Sequence, residues 1–122
     1  MPASQSDIQL LLDAYRVFNA RDIDAATALM VPDVAWPNGQ EGGYVHGHEG
    51  VRDYWTRQWQ SIDPLVRPLA IDEEPGGRLI VTVHQVIRNL DGQLLTERTV
   101  EHIYRLREGL VEHMEIREVT SD

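Results

Sequence analysis

Residues 78–119, RLIVTVHQVIRNLDGQLLTERTVEHIYRLREGLVEHMEIREV, decide the fold class. Apolar and polar side chains alternate along three runs, Arg78 to Arg88, Leu94 to Leu106 and Leu110 to Val119, separated by LDG and REG. Alternation with a period of two between turn signals marks half-buried strands joined as hairpins. Asp91-Gly92 is the strongest short hairpin signal, and a two-residue turn there sets Val83 opposite Val100, Val81 opposite His102 and Leu79 opposite Tyr104. At the next turn, Arg107-Glu108-Gly109 suits a three-residue loop with the glycine in the left-handed position, and Glu108-Gly109 alone suits a two-residue turn. The three-residue form is preferred. It pairs His102 with Met114 and Tyr104 with Glu112, and gathers Val100, His102, Tyr104, Leu106, Leu110, Met114 and Ile116 on one face. The shorter turn pairs His102 with Glu115 and Tyr104 with His113, so the choice bears on chemistry.

Working outward, Leu65 to Asp72 reads as a further strand before the EPGG turn, and everything upstream is mainly helical. Ser6 is the expected N-cap of the first helix, with Gln9 at capping-box spacing, and Ile8, Leu11, Leu12, Tyr15 and Phe18 form its apolar stripe. Tyr15 therefore points inward. A short second helix, Asp22 to Met30, ends before Pro32, which bars helical geometry at the residue preceding it. Val34, Ala35 and Trp36 make a strand with Val34, Trp36 and Asn38 on one face, and residues 39–43 are a loop. A third helix from about His48 to Ile62 turns Val51, Tyr54/Trp55, Gln58/Trp59 and Ile62 inward, and Asp63-Pro64 stops it. Helices first and hairpins after argue α+β with a mainly antiparallel sheet rather than a parallel βαβ architecture.

A chain of 122 residues fits one domain, read here as spanning 1–122. It has no cysteine, which removes disulfides, thiolate nucleophiles and cysteine zinc sites. A net charge of −9, with eleven scattered arginines and no lysine, opposes a phosphate backbone or an anionic membrane and excludes lysine Schiff-base chemistry. No targeting segment or spanning apolar run is visible, so the expectation is a cytoplasmic protein without nucleic-acid or membrane partners. His46-Gly-His48-Glu49 has the spacing of two metal ligands, but a third lies at no defined distance, and no metal is expected; His48-Glu49 simply opens helix three. The Gly-rich triplets EGG and PGG lack phosphate-loop spacing.

The run AYRVFNARDIDAATALMVPDVAW, followed by GHEGVRDYW, resembles the nuclear transport factor 2-like superfamily, in its SnoaL-like and ketosteroid-isomerase-like branch. The resemblance covers nearly the whole chain. It implies a cystatin-like α+β roll, three helices in a cone against a curved sheet, with a pocket at the open end and often a homodimer through the convex face. On that face Ile80, Val86 and Ile103, with Val111 in the preferred register, stand among Thr82, His84 and Arg105. In the isomerase branch, the tyrosine of the oxyanion hole matches Tyr15, the first-strand carboxylate falls on Asn38 and the second acid on His102. An amide cannot abstract a proton, so the steroid-isomerase mechanism is not expected; Glu41, three residues on, is a candidate substitute.

The expected site is therefore an apolar pocket for a small hydrophobic molecule, with His102 and Tyr15 as candidate catalytic groups and no cofactor. Its lining is expected from Trp36, Asn38, Trp55, Trp59, Val83, Val100, Tyr104, Met114 and Ile116, with Tyr44 and Tyr54 as further aromatics. His102 titrates near neutrality in water and is able to serve as base or donor; its ordinary structural reading is a core histidine bonded to Tyr15, Tyr104 or Glu112. Such a site suits an isomerase, cyclase, hydratase or epoxide hydrolase type of acid–base enzyme, and equally a non-catalytic binding or dimerisation module.

Overall fold

The chain enters its first helix through Ser4, whose Oγ accepts from the Asp7 amide at 3.1 Å. This satisfies one of the donors a helix start leaves open, and moves the cap two residues upstream of Ser6. A computed structural model describes residues 4–38 and 42–119; the expectation for Glu41 lies outside the described residues. In order the elements are α1 (Gln5–Asn19), α2 (Ile23–Thr27), β1 (Met30–Pro37), β2 (Tyr44–His46), α3 (Gly47–Trp59), β3 (Ile62–Glu73), β4 (Leu79–Asn89), β5 (Leu94–Arg107) and β6 (Leu110–Glu118). They build an α+β fold in which the helices lie against a curved six-stranded sheet of order β2-β1-β6-β5-β4-β3.

Several boundaries differ from the sequence expectation because tertiary pairing overrides local signals. The second helix ends at Thr27, since Met30 is already paired in parallel with Val111 and the Val111 amide bonds Leu29 O at 2.9 Å. Tyr44–His46, which lies between the expected loop and the expected third helix, forms a short edge strand antiparallel to β1. The third helix spans Gly47–Trp59 rather than reaching Ile62, which pairs with Asn89 in the sheet.

Both hairpins change turn length and compensate with a bulge. Between β4 and β5 the Asn89 amide bonds Gln93 O at 2.9 Å, so the loop is Leu90-Asp91-Gly92, three residues rather than two. Arg88 then opposes Leu94 and Ile87 opposes Thr96, leaving Leu95 as the extra residue, and the body of the ladder has the expected pairs Val83 with Val100, Val81 with His102 and Leu79 with Tyr104. Between β5 and β6 the turn is the two-residue Glu108-Gly109, both with positive φ (52° and 77°), the geometry of a type I′ turn. A bulge at Glu112 follows, so Tyr104 opposes Met114 and His102 opposes Ile116. These are neither the preferred pairs, Tyr104 with Glu112 and His102 with Met114, nor those of the shorter turn. The offset from the preferred register is two residues, which preserves the faces: Val100, His102, Tyr104, Met114 and Ile116 still share one side. Val111, assigned to the convex face from the preferred register, is instead 1 % exposed in the core.

One core joins the layers: Leu11, Tyr15 and Val17 of α1, Val51, Tyr54 and Trp55 of α3, and Val66, Leu79, Val81, Val83, Val100, Tyr104, Val111 and Met114 of the sheet. Outer strand β3 is tied to α1 through Asn19, whose Nδ2 donates to Val66 O at 2.7 Å and whose Oδ1 accepts from Val66 N at 3.0 Å. Arg21, in the left-handed region at φ 64°, donates to Pro64 O at 2.8 Å and to Asp63.

Candidate functional site

Three polar side chains meet inside this core. Tyr104 OH donates to Tyr15 OH at 2.8 Å, and Tyr15 OH lies 2.8 Å from His102 Nδ1. The period of β5 puts His102 and Tyr104 on the same face, and the helical stripe of α1 brings Tyr15 down onto them. All three are buried, at 6 %, 1 % and 4 % exposure for His102, Tyr104 and Tyr15. The Tyr15 ring stacks on the imidazole with centroids 5.8 Å apart. With Tyr104 donating to Tyr15, the proton of Tyr15 goes to Nδ1, and the ring proton of the neutral imidazole is left on Nε2. Burial pushes the His102 pKa down from 6.5 to about 4, so the ring is neutral at physiological pH. Burial also raises both tyrosines well above their ordinary value, with the neighbouring Tyr104 raising Tyr15 further and the bond to Tyr15 partly offsetting the rise at Tyr104.

Of the hollows that touch this chain, two are lined by His102. The first encloses about 50 Å³ and is lined by Ala14, Tyr15, Phe18, Ala26, Met30, Trp36, Trp55, Val66, His102 and Tyr104. The second encloses about 70 Å³ and adds Pro37, Tyr54, Gln58, Pro64, Gln85, Met114 and Ile116. Phe18, Trp36, Trp55, Val66 and His102 line both, so the two hollows share a wall. That wall is aromatic: Trp55 meets Phe18 edge-on at 5.0 Å and Trp36 edge-on at 5.4 Å between centroids. Such contacts hold large rings in fixed orientations.

Of the residues expected here, Tyr15, His102, Trp36, Trp55, Tyr104, Met114 and Ile116 line one or both hollows. Asn38, Trp59, Val83 and Val100 line neither. Val83 and Val100 are fully buried in the core, and Trp59 packs behind Trp55 at 5.7 Å with the Arg21 guanidinium 5.0 Å above its ring. Asn38 stands one residue past the end of β1, where its amide bonds Gly43 O at 2.9 Å. Tyr44 is exposed and packs on His113 at 5.2 Å, away from the hollows, while Tyr54 lines the second.

Gln85 and Gln58 are wall residues that an apolar criterion passes over. The period of β4 carries Gln85 onto the face of Val81 and Val83, and the inner stripe of α3 carries Gln58 beside Trp55. The Gln58 Nε2 donates to Tyr54 OH at 3.2 Å, whereas its Oε1 is buried with no partner, as is Trp59 Nε1. Among the described residues no three His, Cys, Asp or Glu side chains cluster as a metal site, and His48 Nε2 lies 3.0 Å from Met30 O. No described helix is long and apolar enough to cross a membrane.

Comparison with curated proteins finds no match. Among solved structures, the chain is similar to a nuclear transport factor 2-like protein of unknown function from Burkholderia pseudomallei, with 22 % identity, a TM-score of 0.81, and coverage of 95 % of this chain and 92 % of that one. TerC, co-crystallised with polyporic acid, has 25 % identity and a TM-score of 0.81 over 94 % of this chain and 92 % of its own. A Mycobacterium tuberculosis protein in complex with estradiol-17β-hemisuccinate has 18 % identity and a TM-score of 0.76 over 91 % and 92 % of the two chains. The model of the SnoaL-like domain matches residues 11–114, which takes in every residue of the hydrogen-bonded chain and most of both hollows. The protein belongs to the SnoaL-like family of the nuclear transport factor 2-like superfamily.

Proposed function

We propose that this protein binds a small hydrophobic ring compound between α1, α3 and the sheet, with His102 as the polar group at the apolar wall. The observation that carries the reading is the buried Tyr104–Tyr15–His102 chain, which ends on the imidazole in a pocket walled by Trp36, Trp55 and Phe18. Locking Nδ1 as an acceptor leaves Nε2–H to polarise a carbonyl, epoxide or similar oxygen. That supports a cofactor-free isomerase, cyclase, hydratase or epoxide hydrolase type of activity, with Tyr15 orienting the imidazole. TerC, a relative of the same fold, is co-crystallised with polyporic acid.

A second reading, a binding module without chemistry, is favoured by Asn38: an amide stands where the isomerase branch has its base, and it lines neither hollow. Screening ring ketones and quinones by tryptophan quenching, with product analysis of each hit, separates the two. Loss of turnover with retained binding in His102→Ala supports the enzyme; weaker binding with no turnover in either form supports the module. The convex face, where Leu65 opposes Val86, is the surface we assign to a homodimer.

A further inference from the structure

Resting on the small-molecule reading above, we propose that the pocket selects its ligand by ionisation state: an uncharged ring compound with an acceptor for His102 Nε2–H and a donor for the Gln58 carbonyl. Three observations converge on this. The chain from Tyr104 through Tyr15 occupies Nδ1, so the imidazole offers the pocket one neutral donor and no lone pair. Gln58 lines the same hollow as His102, and its Oε1 is buried without a partner while Tyr54 OH holds the other end of the amide. An unpartnered buried acceptor is uncommon and is relieved by a ligand hydroxyl or amine. Third, among the described residues neither hollow is lined by an Arg, Asp or Glu, and the chain has no lysine. A carboxylate or phosphate entering there leaves water and meets no counter-charge, whereas a ketone or phenol loses little.

The pocket thus discriminates between two forms of one carbon skeleton. An acid is refused where its ester or ketone is accepted. The wall supplies most of the affinity through apolar area, and the two polar contacts set orientation: the acceptor toward β5, the donor toward the last turn of α3.

Four probes on one skeleton test this, titrated into the wild-type protein in mildly acidic buffer and followed by quenching of Trp36 and Trp55: tetralin, 1-tetralone, 6-hydroxy-1-tetralone and tetralin-2-carboxylate. The ketone is expected to bind about threefold to tenfold more tightly than tetralin, and the hydroxyketone tighter again by a similar factor. The carboxylate is expected to bind at least about tenfold more weakly than the ketone. His102→Phe is expected to level ketone and hydrocarbon, and Gln58→Leu to erase the advantage of the hydroxyl. The wild-type series stands without either variant if one fails to fold. Equal affinity of tetralin and 1-tetralone, no gain from the hydroxyl, or a carboxylate as tight as the ketone overturns the proposal and leaves the small-molecule reading intact. Binding by none of the four at their solubility limits overturns both.

Discussion

Protonating His102 inside the fold places a charge between the Tyr15 and Tyr104 rings, opposite Val81 and Ile116, at a buried position that disfavours the charged form. The unfolded chain takes that proton near pH 6.5, the folded one only near pH about 4, so the unfolded state binds more protons throughout that window. Stability is therefore expected to fall as pH drops from about 6.5 toward about 4, by a contribution on the order of 3 kcal/mol. Urea unfolding across this range measures it, and His102→Phe should flatten the slope. The order of the hydroxyl chain makes a second prediction. Tyr15→Phe removes the middle link and strands both His102 Nδ1 and Tyr104 OH, costing roughly 2–4 kcal/mol, whereas Tyr104→Phe leaves Tyr15 still donating to His102 and costs about 1 kcal/mol. Equal losses for the two variants in chemical denaturation would contradict this direction of donation.

The hairpins show what a local pattern conveys. Alternation carries the face of each strand, because a side chain on the wrong side of a half-buried sheet is expensive wherever the register lies. It carries no count of turn residues, and both turns differ by one from expectation, with bulges at Leu95 and Glu112 restoring the faces. His102, Tyr104, Met114 and Ile116 were therefore legible as one surface, and so were the β4 partners Val81 and Leu79, while the pairing of His102 and Tyr104 with β6 was not. The parallel contact of β1 with β6 and the three-residue β2 were illegible for a related reason: neither is written in the segment that forms it. Asn38 was placed on the pocket face by extending an alternation one residue beyond the strand's end at Pro37. Glu108 holds a left-handed conformation at φ 52° that asparagine tolerates better, and Asn-Gly is a favoured pair for this turn. Glu108→Asn is expected to stabilise by about 0.5–1 kcal/mol, a rise of a few degrees in Tm.

For the molecule as a whole, the convex face is the surface where a second copy is proposed to sit, and Val86→Arg tests that assignment. A fall to monomer mass in light scattering with ligand binding retained is the expected result; an unchanged mass removes the convex face from the interface. The edge beside α1 is a different matter. Val66 turns its backbone donor and acceptor away from β4 and both are taken by Asn19. Pro64 and Pro68, two residues to either side, share that orientation and have no N–H to offer, and the Pro64 carbonyl is held by Arg21. An incoming strand would thus find no free donor at three successive outward positions of β3, which makes this border a poor template for growth. Asn19→Ala reopens the middle position between the prolines. Beyond the roughly 1–3 kcal/mol lost with the two bonds, it is expected to let the protein recruit its own copies strand by strand, seen as rising thioflavin T fluorescence at temperatures where the native sequence gives none.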